Sequence, residues 1–351
     1  RQLMWKVLVP VSKPTLMVGA NQVIMLSLNM VIIASMIGAG GLGYDVLASL
    51  RRLNIGAGIE TGVAIVVLAI ALDRLSQAFV NIPSKSKKGD ELFLKKYLKI
   101  IFLFIFIITI YLMSNFLPFL KKFPDELIIN TSIFWENLVK YININYYDNL
   151  ENFKVTLLTY FMLPIKRFFL GIPWPWFIFI LTITGWYYGK WRLGILCLML
   201  SMFIVLTGLW EKAMITVYLC GSSVLIASLI GVPLGIWAGV NTKANKILTA
   251  FIDTLQTLPS FVYLIPVVML FRVGDFTAML AVILYALAPA VRYTAHGVRN
   301  INEQIVEAGL ICGCSPKQLL LKVKLPLALP EILLGINQTI MLALSMLVIT
   351  A

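Results

Sequence analysis

Long apolar runs alternate along this chain with short polar segments, most of which carry lysine or arginine. A helix rises about 1.5 Å per residue, so about 20 apolar residues can cross the hydrocarbon core of a bilayer. About eight runs suit this role, and the pattern therefore predicts an all-α, polytopic membrane helix bundle. The predicted spans include residues 15–37, 56–75, 98–116, 168–188, 193–209, 213–239 and 277–293 and the run after Pro330.

The region 117–167 departs from this pattern because polar residues interrupt its apolar stretches. Residues 155–167 mix leucine and phenylalanine with Lys166 and Arg167, which is typical of an amphipathic helix on a membrane surface. Asp253 precedes a break at Pro259, and we expect this acid at the cytoplasmic boundary of the bilayer.

Residues 305–330 form a polar, basic segment between two apolar runs. Ser315 and Gln318 have the spacing of a capping box, and Pro316 occupies the first helical position. The spacing predicts a helix that begins here and ends at about Val323.

Three apolar residues of this helix, Leu319, Leu320 and Val323, would share one face. Pro326 and Pro330 are then predicted to end the helix and to turn the chain back into the membrane, because proline removes a backbone donor and clashes with the preceding turn.

The start of the chain repeats its end. Residues 1–35 and 317–351 align with an offset of 316 residues, and about 15 of the 35 positions are identical. The direct repeat predicts two tandem membrane units, each incomplete. Residues 1–80 would end the first unit with the end of its polar loop and two spans, 81–96 would form a basic linker, and 97–351 would form the second unit.

Charge indicates the orientation of the predicted spans. The net charge is +13, yet 13% of the residues are charged, which is about half the share in soluble globular domains. The cations lie between apolar runs rather than in one patch, which excludes a nucleic-acid partner and indicates basic cytoplasmic loops. These loops would be residues 83–96, 190–192, 241–246 and 305–330.

Candidate chemistry is sparse. Residues 38–43 fit G-x-G-x-x-G, but a predicted span precedes them where a dinucleotide site needs a strand, so turns and close packing explain these glycines better. Cys312 and Cys314 form C-x-C without a second pair of ligands. We predict no metal site and no catalytic residue, and we interpret His296 as structural or interfacial.

The polar segment carries a family resemblance. Glu307, Ala308 and Gly309, followed by Gly313 and by Val-Lys-Leu-Pro at 323–326, resemble the EAA loop of bacterial ABC importer permeases. The pattern of that family has alanine at position 309 and isoleucine at position 323. Both replacements keep the small or apolar character of the position.

The surrounding apolar runs narrow this resemblance. Residues 251–271 and 333–349 are similar to the permease subunit of glycine betaine/proline betaine importers. The resemblance implies a type I-like permease fold with cytoplasmic coupling helices in the inner membrane of a bacterium. The expected coupling-loop residues are Glu307, Ala308, Gly309, Gly313, Ser315, Leu320, Val323, Leu325 and Pro326, together with Lys6, Val9 and Pro10 of the first copy.

The same resemblance implies several partners. They are an ABC ATPase subunit, an extracytoplasmic substrate-binding protein and a second permease unit, present as a dimer partner or as a tandem fusion. The chain has no Walker A pattern, so we expect no cofactor on it and no enzyme activity of its own. ATP and magnesium would bind to the partner ATPase.

Polar residues also occur within the predicted spans. Gln22 and Asn29 lie seven residues apart, so they share one helix face, and Gln338 and Ser345 occupy the matching places in the second copy. Polar groups inside a membrane either join helices by hydrogen bonds or line a pathway. Both interpretations remain open, and all four residues are candidate pathway-lining residues.

The predicted function is uptake of betaine-type compatible solutes, such as glycine betaine, proline betaine or choline-like compounds. One alternative is a secondary transporter or channel that works without an ATPase. Such a protein would need no coupling helix and would typically carry intramembrane acids or inverted repeats. Another alternative is an ABC importer for a different small polar solute.

Overall fold

The computed structural model describes residues 2–9, 38, 40–52, 54–80, 123–257 and 260–350, most of 101–114, and single positions between 12 and 34. These residues form helices joined by short turns, and no strand occurs among them, which confirms the all-α prediction. Four of the described helices are long and apolar enough to cross a membrane, and one of them, Trp174–Leu206, is bent into two arms. The predicted span 15–37 and the linker 81–96 lie largely or wholly outside the described residues.

Ten helices are labelled here in chain order. Their bounds are Leu42–Arg51 (α1), Ile55–Val80 (α2), Ser132–Leu157 continued by the π-helical turn Leu158–Met162 and by Leu163–Gly171 (α3), Trp174–Leu206 (α4), Trp210–Val240 (α5), Thr242–Thr257 (α6), Ser260–Phe271 (α7), Asp275–Arg299 (α8), Glu303–Ile311 (α9), and Pro316–Gln318 continued by the π-helical turn Leu319–Lys324 and by Leu325–Thr350 (α10). A π-helical turn, Met4–Leu8, lies near the start of the chain.

Helices α5 and α8 pack with their backbones in close contact. The contact face of α5 consists of three glycines spaced four residues apart, Gly231, Gly235 and Gly239. A Cβ atom at Gly235 would lie 2.6 Å from the Cβ of Thr294 and 2.7 Å from the carbonyl oxygen of Val291. Small residues at this spacing let membrane helices approach closely, because apolar burial alone gives little attraction between helices in lipid.

The sequence pattern identified only part of this contact. Glycines within a predicted span are typical of close helix contact, and this interpretation is confirmed at Gly231 and Gly235, where added Cβ atoms would meet Ala290 and Thr294. The same prediction is wrong for Gly221, where an added Cβ atom would have nothing within 4 Å. Gly221 lies on a side of α5 that no described residue covers.

Helix α8 lies between α5 and α10. On the side of α10, a Cβ atom at Gly335 would lie 2.9 Å from the Cβ of Tyr293, and one at Gly297 would lie 2.7 Å from the Cβ of Glu331. The order of these pairs shows that α8 runs parallel to α5 and antiparallel to α10. The C-terminal ends of α5 and α8 therefore lie beside the start of α10, and we call this end of the bundle the coupling end. The opposite end is called the outer end.

Helix α3 corrects the interpretation of region 117–167. A continuous helix begins at Ser132 and ends at Gly171, and at about 1.5 Å per residue it extends about 60 Å. Its residues contact the outer ends of other helices: Phe153 stacks edge-on against Phe276, and Lys166 forms a 2.7 Å salt bridge with Asp275.

The predicted amphipathic helix at residues 155–167 is confirmed, and its apolar face packs against the protein; its place relative to the membrane surface stays a prediction. Met162 is fully buried in the main apolar core with Tyr218 and Leu219 of α5. The apolar face of this segment packs against the protein because α5 covers it near the outer end of the bundle. Lys166 lies 5.9 Å from the ring centroid of Tyr218, so its charge is balanced by Asp275 and an aromatic face.

Helix α4 is a hairpin of two arms. Gly189 and Lys190 have non-helical dihedral angles, and Lys190 has a φ of 60°. Beyond this turn, a Cβ atom at Gly185 would lie 3.0 Å from the sulfur of Cys197, so the two arms lie side by side. The break predicted between the spans 168–188 and 193–209 is confirmed.

The loop predicted at 241–246 is much shorter than expected. Asn241 caps α6 directly after α5, and its side-chain oxygen accepts hydrogen bonds from the backbone N–H groups of Lys243 and Ala244 at 2.9 and 3.3 Å. The basic residues of this segment, Lys243 and Lys246, therefore lie in the first two turns of a helix at the coupling end.

Helix α2, from the predicted first unit, packs against helices of the predicted second unit. A Cβ atom at Gly62 would lie 3.0 Å from Cδ1 of Ile265 in α7. The carboxylate of Glu60 accepts hydrogen bonds from the backbone N–H and the hydroxyl of Thr131 at 3.0 and 2.8 Å. The regions 54–80 and 123–350 thus share one packed bundle.

Replacing Gly235 with valine should loosen the bundle, since the new side chain would meet the backbone of α8. Overpacking costs about 1–3 kcal/mol, and we expect a lower melting temperature for the purified protein. Gly221→Val is the matched control, because its side chain would enter open space. Equal melting temperatures for the two variants would contradict the described contact.

Candidate functional site: the coupling segment

The coupling segment, residues 300–326, consists of α9, a tight turn and the start of α10. Asn302 caps α9, since its side chain accepts a hydrogen bond from the backbone N–H of Gln304 at 3.0 Å. Gly313 has a φ of 78°, a conformation that favours glycine. The N–H of Gly313 donates to the carbonyl of Leu310 at 2.9 Å, which closes the end of α9.

The predicted capping box is confirmed. The N–H of Gln318 donates to the hydroxyl of Ser315 at 3.3 Å, and the N–H of Ser315 donates to the side-chain oxygen of Gln318 at 2.9 Å. Pro316 occupies the first turn. These bonds satisfy donors that a helix end otherwise leaves without partners, so the segment has a defined start outside the bundle.

Packing between α9 and α10 explains the glycine at position 309. A Cβ atom there would lie 2.8 Å from Cδ1 of Leu319 and 3.8 Å from Cγ2 of Val323. Leu319 is buried, so the alanine of the family pattern would require this side chain to move. Glu307 and Ala308 are exposed on the opposite side of α9.

The predicted stop at Pro326 and Pro330 is wrong. The helix continues from Pro316 to Thr350, and Pro330 lies inside it. A π-helical turn directly precedes Pro326, and the N–H of Leu325 donates to the carbonyl of Leu320, five residues back. A π-helical turn is wider than an α-helical turn, so it can accommodate the proline ring without ending the helix.

Three apolar side chains of the segment are more than half exposed. Leu310, Ile311 and Leu321 are 54%, 86% and 61% exposed. Leu320 is partly buried and packs against a cluster that includes Val298. The sequence pattern selected Leu320 and missed the three exposed residues, because the spacing of leucines does not reveal which side of a helix the bundle covers.

The described start of the first copy, residues 2–9, contains the same kind of turn as the second copy. The π-helical turn Met4–Leu8 matches Leu319–Lys324 at the repeat offset, and the N–H of Val9 donates to the carbonyl of Met4, five residues back. Lys6 lies within this turn, and Pro10 lies outside the described residues.

The polar face of α10 is only partly described. Gln338 is partly buried and Ser345 is exposed, beside the face of α10 that packs on α8. Gln22 and Asn29 lie outside the described residues. The role of these four residues stays a prediction.

Two polar contacts at the coupling end involve residues that the sequence analysis singled out, Asp253 and His296. Arg292 of α8 forms a salt bridge with Asp253 of α6. The ring Nε2 of His296 lies 2.6 Å from the side-chain nitrogen of Asn300, one turn along the same helix.

In the described part of the chain, no group of three or more His, Cys, Asp or Glu side chains could hold a metal ion.

These features define a multi-pass membrane protein with a structured polar segment at one end of its bundle. The chain matches, over residues 1–86 and 231–351, the family model described as binding-protein-dependent transport system inner membrane component. The match covers more than half of the chain, and the chain belongs to this family. It is accordingly a bacterial inner-membrane protein.

Some curated relatives align with the whole of this chain, and others align with about half of it. The trimethylamine N-oxide transport system permease protein of Pelagibacter ubique is 36% identical over 100% of this chain and 50% of its own length. The glycine betaine/proline betaine transport system permease protein of Escherichia coli is 39% identical over 55% of this chain and 54% of its own length. The chain thus spans about half the length of these relatives, which are transport permeases and not enzymes.

Replacing Ser315 with alanine should loosen the start of α10. Loss of a helix cap costs about 1 kcal/mol, which corresponds to roughly fivefold faster amide exchange in the first turn. Hydrogen exchange of residues 317–319 would measure this change. Ser345→Ala, which makes the same replacement on an exposed part of α10, should leave that exchange unchanged. Equal exchange in both variants would show that the capping box does not stabilise the segment.

Proposed function

We propose that this chain is part of the permease of an ABC importer that takes up small methylated-amine zwitterions of the betaine and trimethylamine N-oxide type. The family and the two relatives support the class of protein and the class of solute. The observation that carries the proposal is the coupling segment, whose capped helix presents exposed apolar side chains outside the membrane-spanning bundle.

The proposal assigns the coupling segment to an ABC ATPase subunit. Exposed Ile311, Leu310 and Leu321 would be buried in that subunit, and the exposed carboxylate of Glu307 would lie at the rim of the contact. ATP and magnesium would bind to the ATPase, and a substrate-binding protein would deliver the solute at the outer end.

A second permease unit would complete the pathway, as a tandem fusion within one chain. The family model matches two separate parts of the chain, and the π-helical turn recurs at the repeat offset. Both observations support the prediction that residues 1–80 and 97–351 come from two units.

Continuity of α10 suggests how the ATPase would act on the solute pathway. The docked start of α10 and its membrane-spanning part form one helix from Pro316 to Thr350. A displacement of the docked end would therefore move the span and, through the close contact of Gly335 with Tyr293, also α8. Such rigid-body motion of packed helices is a common route from outward to inward access.

Replacing Ile311 with aspartate tests the docking surface. If this side chain is buried in the ATPase, an unpaired charge there should cost several kcal/mol, and each ~1.4 kcal/mol lowers affinity tenfold. In the complete transporter, we expect normal membrane abundance, at least tenfold less co-purified ATPase, and loss of solute-stimulated ATP hydrolysis.

Leu209→Asp is the matched control, because Leu209 is an exposed leucine at the outer end. This variant should keep its ATPase. Leu320→Asp is a poorer test, since Leu320 packs inside the bundle. Unchanged ATPase binding in the Ile311→Asp protein would contradict the proposal and favour a secondary transporter.

The polar face of α10 would line the solute pathway. Gln338→Leu should then reduce uptake of glycine betaine and trimethylamine N-oxide at least tenfold while the ATPase still co-purifies. The loss of one hydrogen bond between membrane helices, at about 0.6–2 kcal/mol, would not unfold the protein. Met341→Leu, a change at an exposed apolar position of the same helix, should keep full uptake. Loss of the assembled complex in the Gln338→Leu protein would instead indicate a packing role.

A further inference from the structure

A cavity of about 240 Å³ opens at the coupling end, between α5, α6 and α8. Its apolar walls come from Leu248, Ile252 and Val291, and the last two are buried. Because a water molecule takes about 30 Å³, the cavity has room for a small polar group with several waters. It is separate from the exposed surface of α9 and α10 that would bind the ATPase.

The rim of the cavity is cationic. Arg292, His296 and Arg299 are spaced four and three residues apart, so they lie on one face of α8 and all line the cavity. Asp253 of α6 pairs with Arg292. Arg299 forms no salt bridge with any described residue, so a positive charge remains without a counter-charge at the rim.

The cavity lies at the depth of lipid headgroups. It is lined by Ala238, and the adjacent Trp237 is 54% exposed at the end of a helix long enough to span the membrane. Exposed tryptophan at the end of a span is typical of the membrane interface. Basic pockets between membrane helices on the cytoplasmic side suit anionic headgroups, and the planar guanidinium group matches phosphate oxygens.

We propose that this cavity is a phosphate-binding site for an anionic phospholipid headgroup, with Arg299 as the main ligand and His296, Asn245 and Asn300 around it. This site goes beyond the proposed transport function. The apolar walls would take the glycerol end of the lipid, and the arginine would bind the phosphate at the rim. A bound lipid would hold α6 against α8 beside the start of the coupling segment.

Lipid binding by the assembled full-length transporter tests this site. Native mass spectrometry would count bound phosphatidylglycerol, and thermal unfolding would measure the stabilisation by phosphatidylglycerol relative to phosphatidylcholine. Arg299→Gln should lower the affinity for phosphatidylglycerol at least tenfold and abolish the stabilisation. Lys212→Gln removes the same charge at the opposite end of α5 and should behave like the wild type.

A second variant separates charge from fold. Thr249→Trp would fill the cavity from its exposed edge and leave the arginines in place, and it too should lose the lipid. Inorganic phosphate added to the delipidated protein distinguishes the source of the phosphate. Stabilisation by the lipid alone would support a headgroup site, whereas equal stabilisation by free phosphate would overturn the lipid assignment. Wild-type lipid binding in both Arg299→Gln and Thr249→Trp would overturn the site itself.

Discussion

The rest of the described bundle depends on the close approach of two helix backbones, α5 and α8. Gly235 leaves so little room that a single added carbon would meet both Thr294 and the carbonyl of Val291. In lipid, where apolar burial drives association only weakly, such close packing supplies the dispersion energy that fixes the pair. Because α10 then packs on the other side of α8 in the opposite direction, this contact also decides which loops share the coupling end.

Local contacts hold the coupling segment in place at the end of this bundle. Gly309 lets Leu319 pack against α9, the capping box holds the start of α10, and the π-helical turn carries the helix past Pro326. The last part of the segment is therefore continuous with the long apolar helix α10. A partner that moves it would act directly on the bundle, which is a property that a flexible loop would lack.

Several features followed from the sequence because they depend on local chemistry. The apolar runs predicted α2, α5 and α8, the spacing of Ser315 and Gln318 predicted the cap, and the direct repeat fits the matching π-helical turns. The sequence pattern did not predict the full length of α3, because polar residues interrupt its apolar stretches. Many of these polar residues face away from the protein, while Met162 and its neighbours pack in the core. The cation Lys166, which the positive-inside rule would place in the cytoplasm, is balanced at the outer end by Asp275.

The sequence by itself determined the class of protein, the approximate spans, the start of the coupling helix and its likeness to ABC importer permeases, since length, hydropathy and capping act within one segment. Only the tertiary structure decided that Gly235 but not Gly221 is a contact, that Leu320 faces inward while Ile311 is exposed, and that Pro330 stays inside a helix. These outcomes depend on which neighbour covers each face. A periodic pattern identifies an apolar face but carries no information on the helix that packs against it.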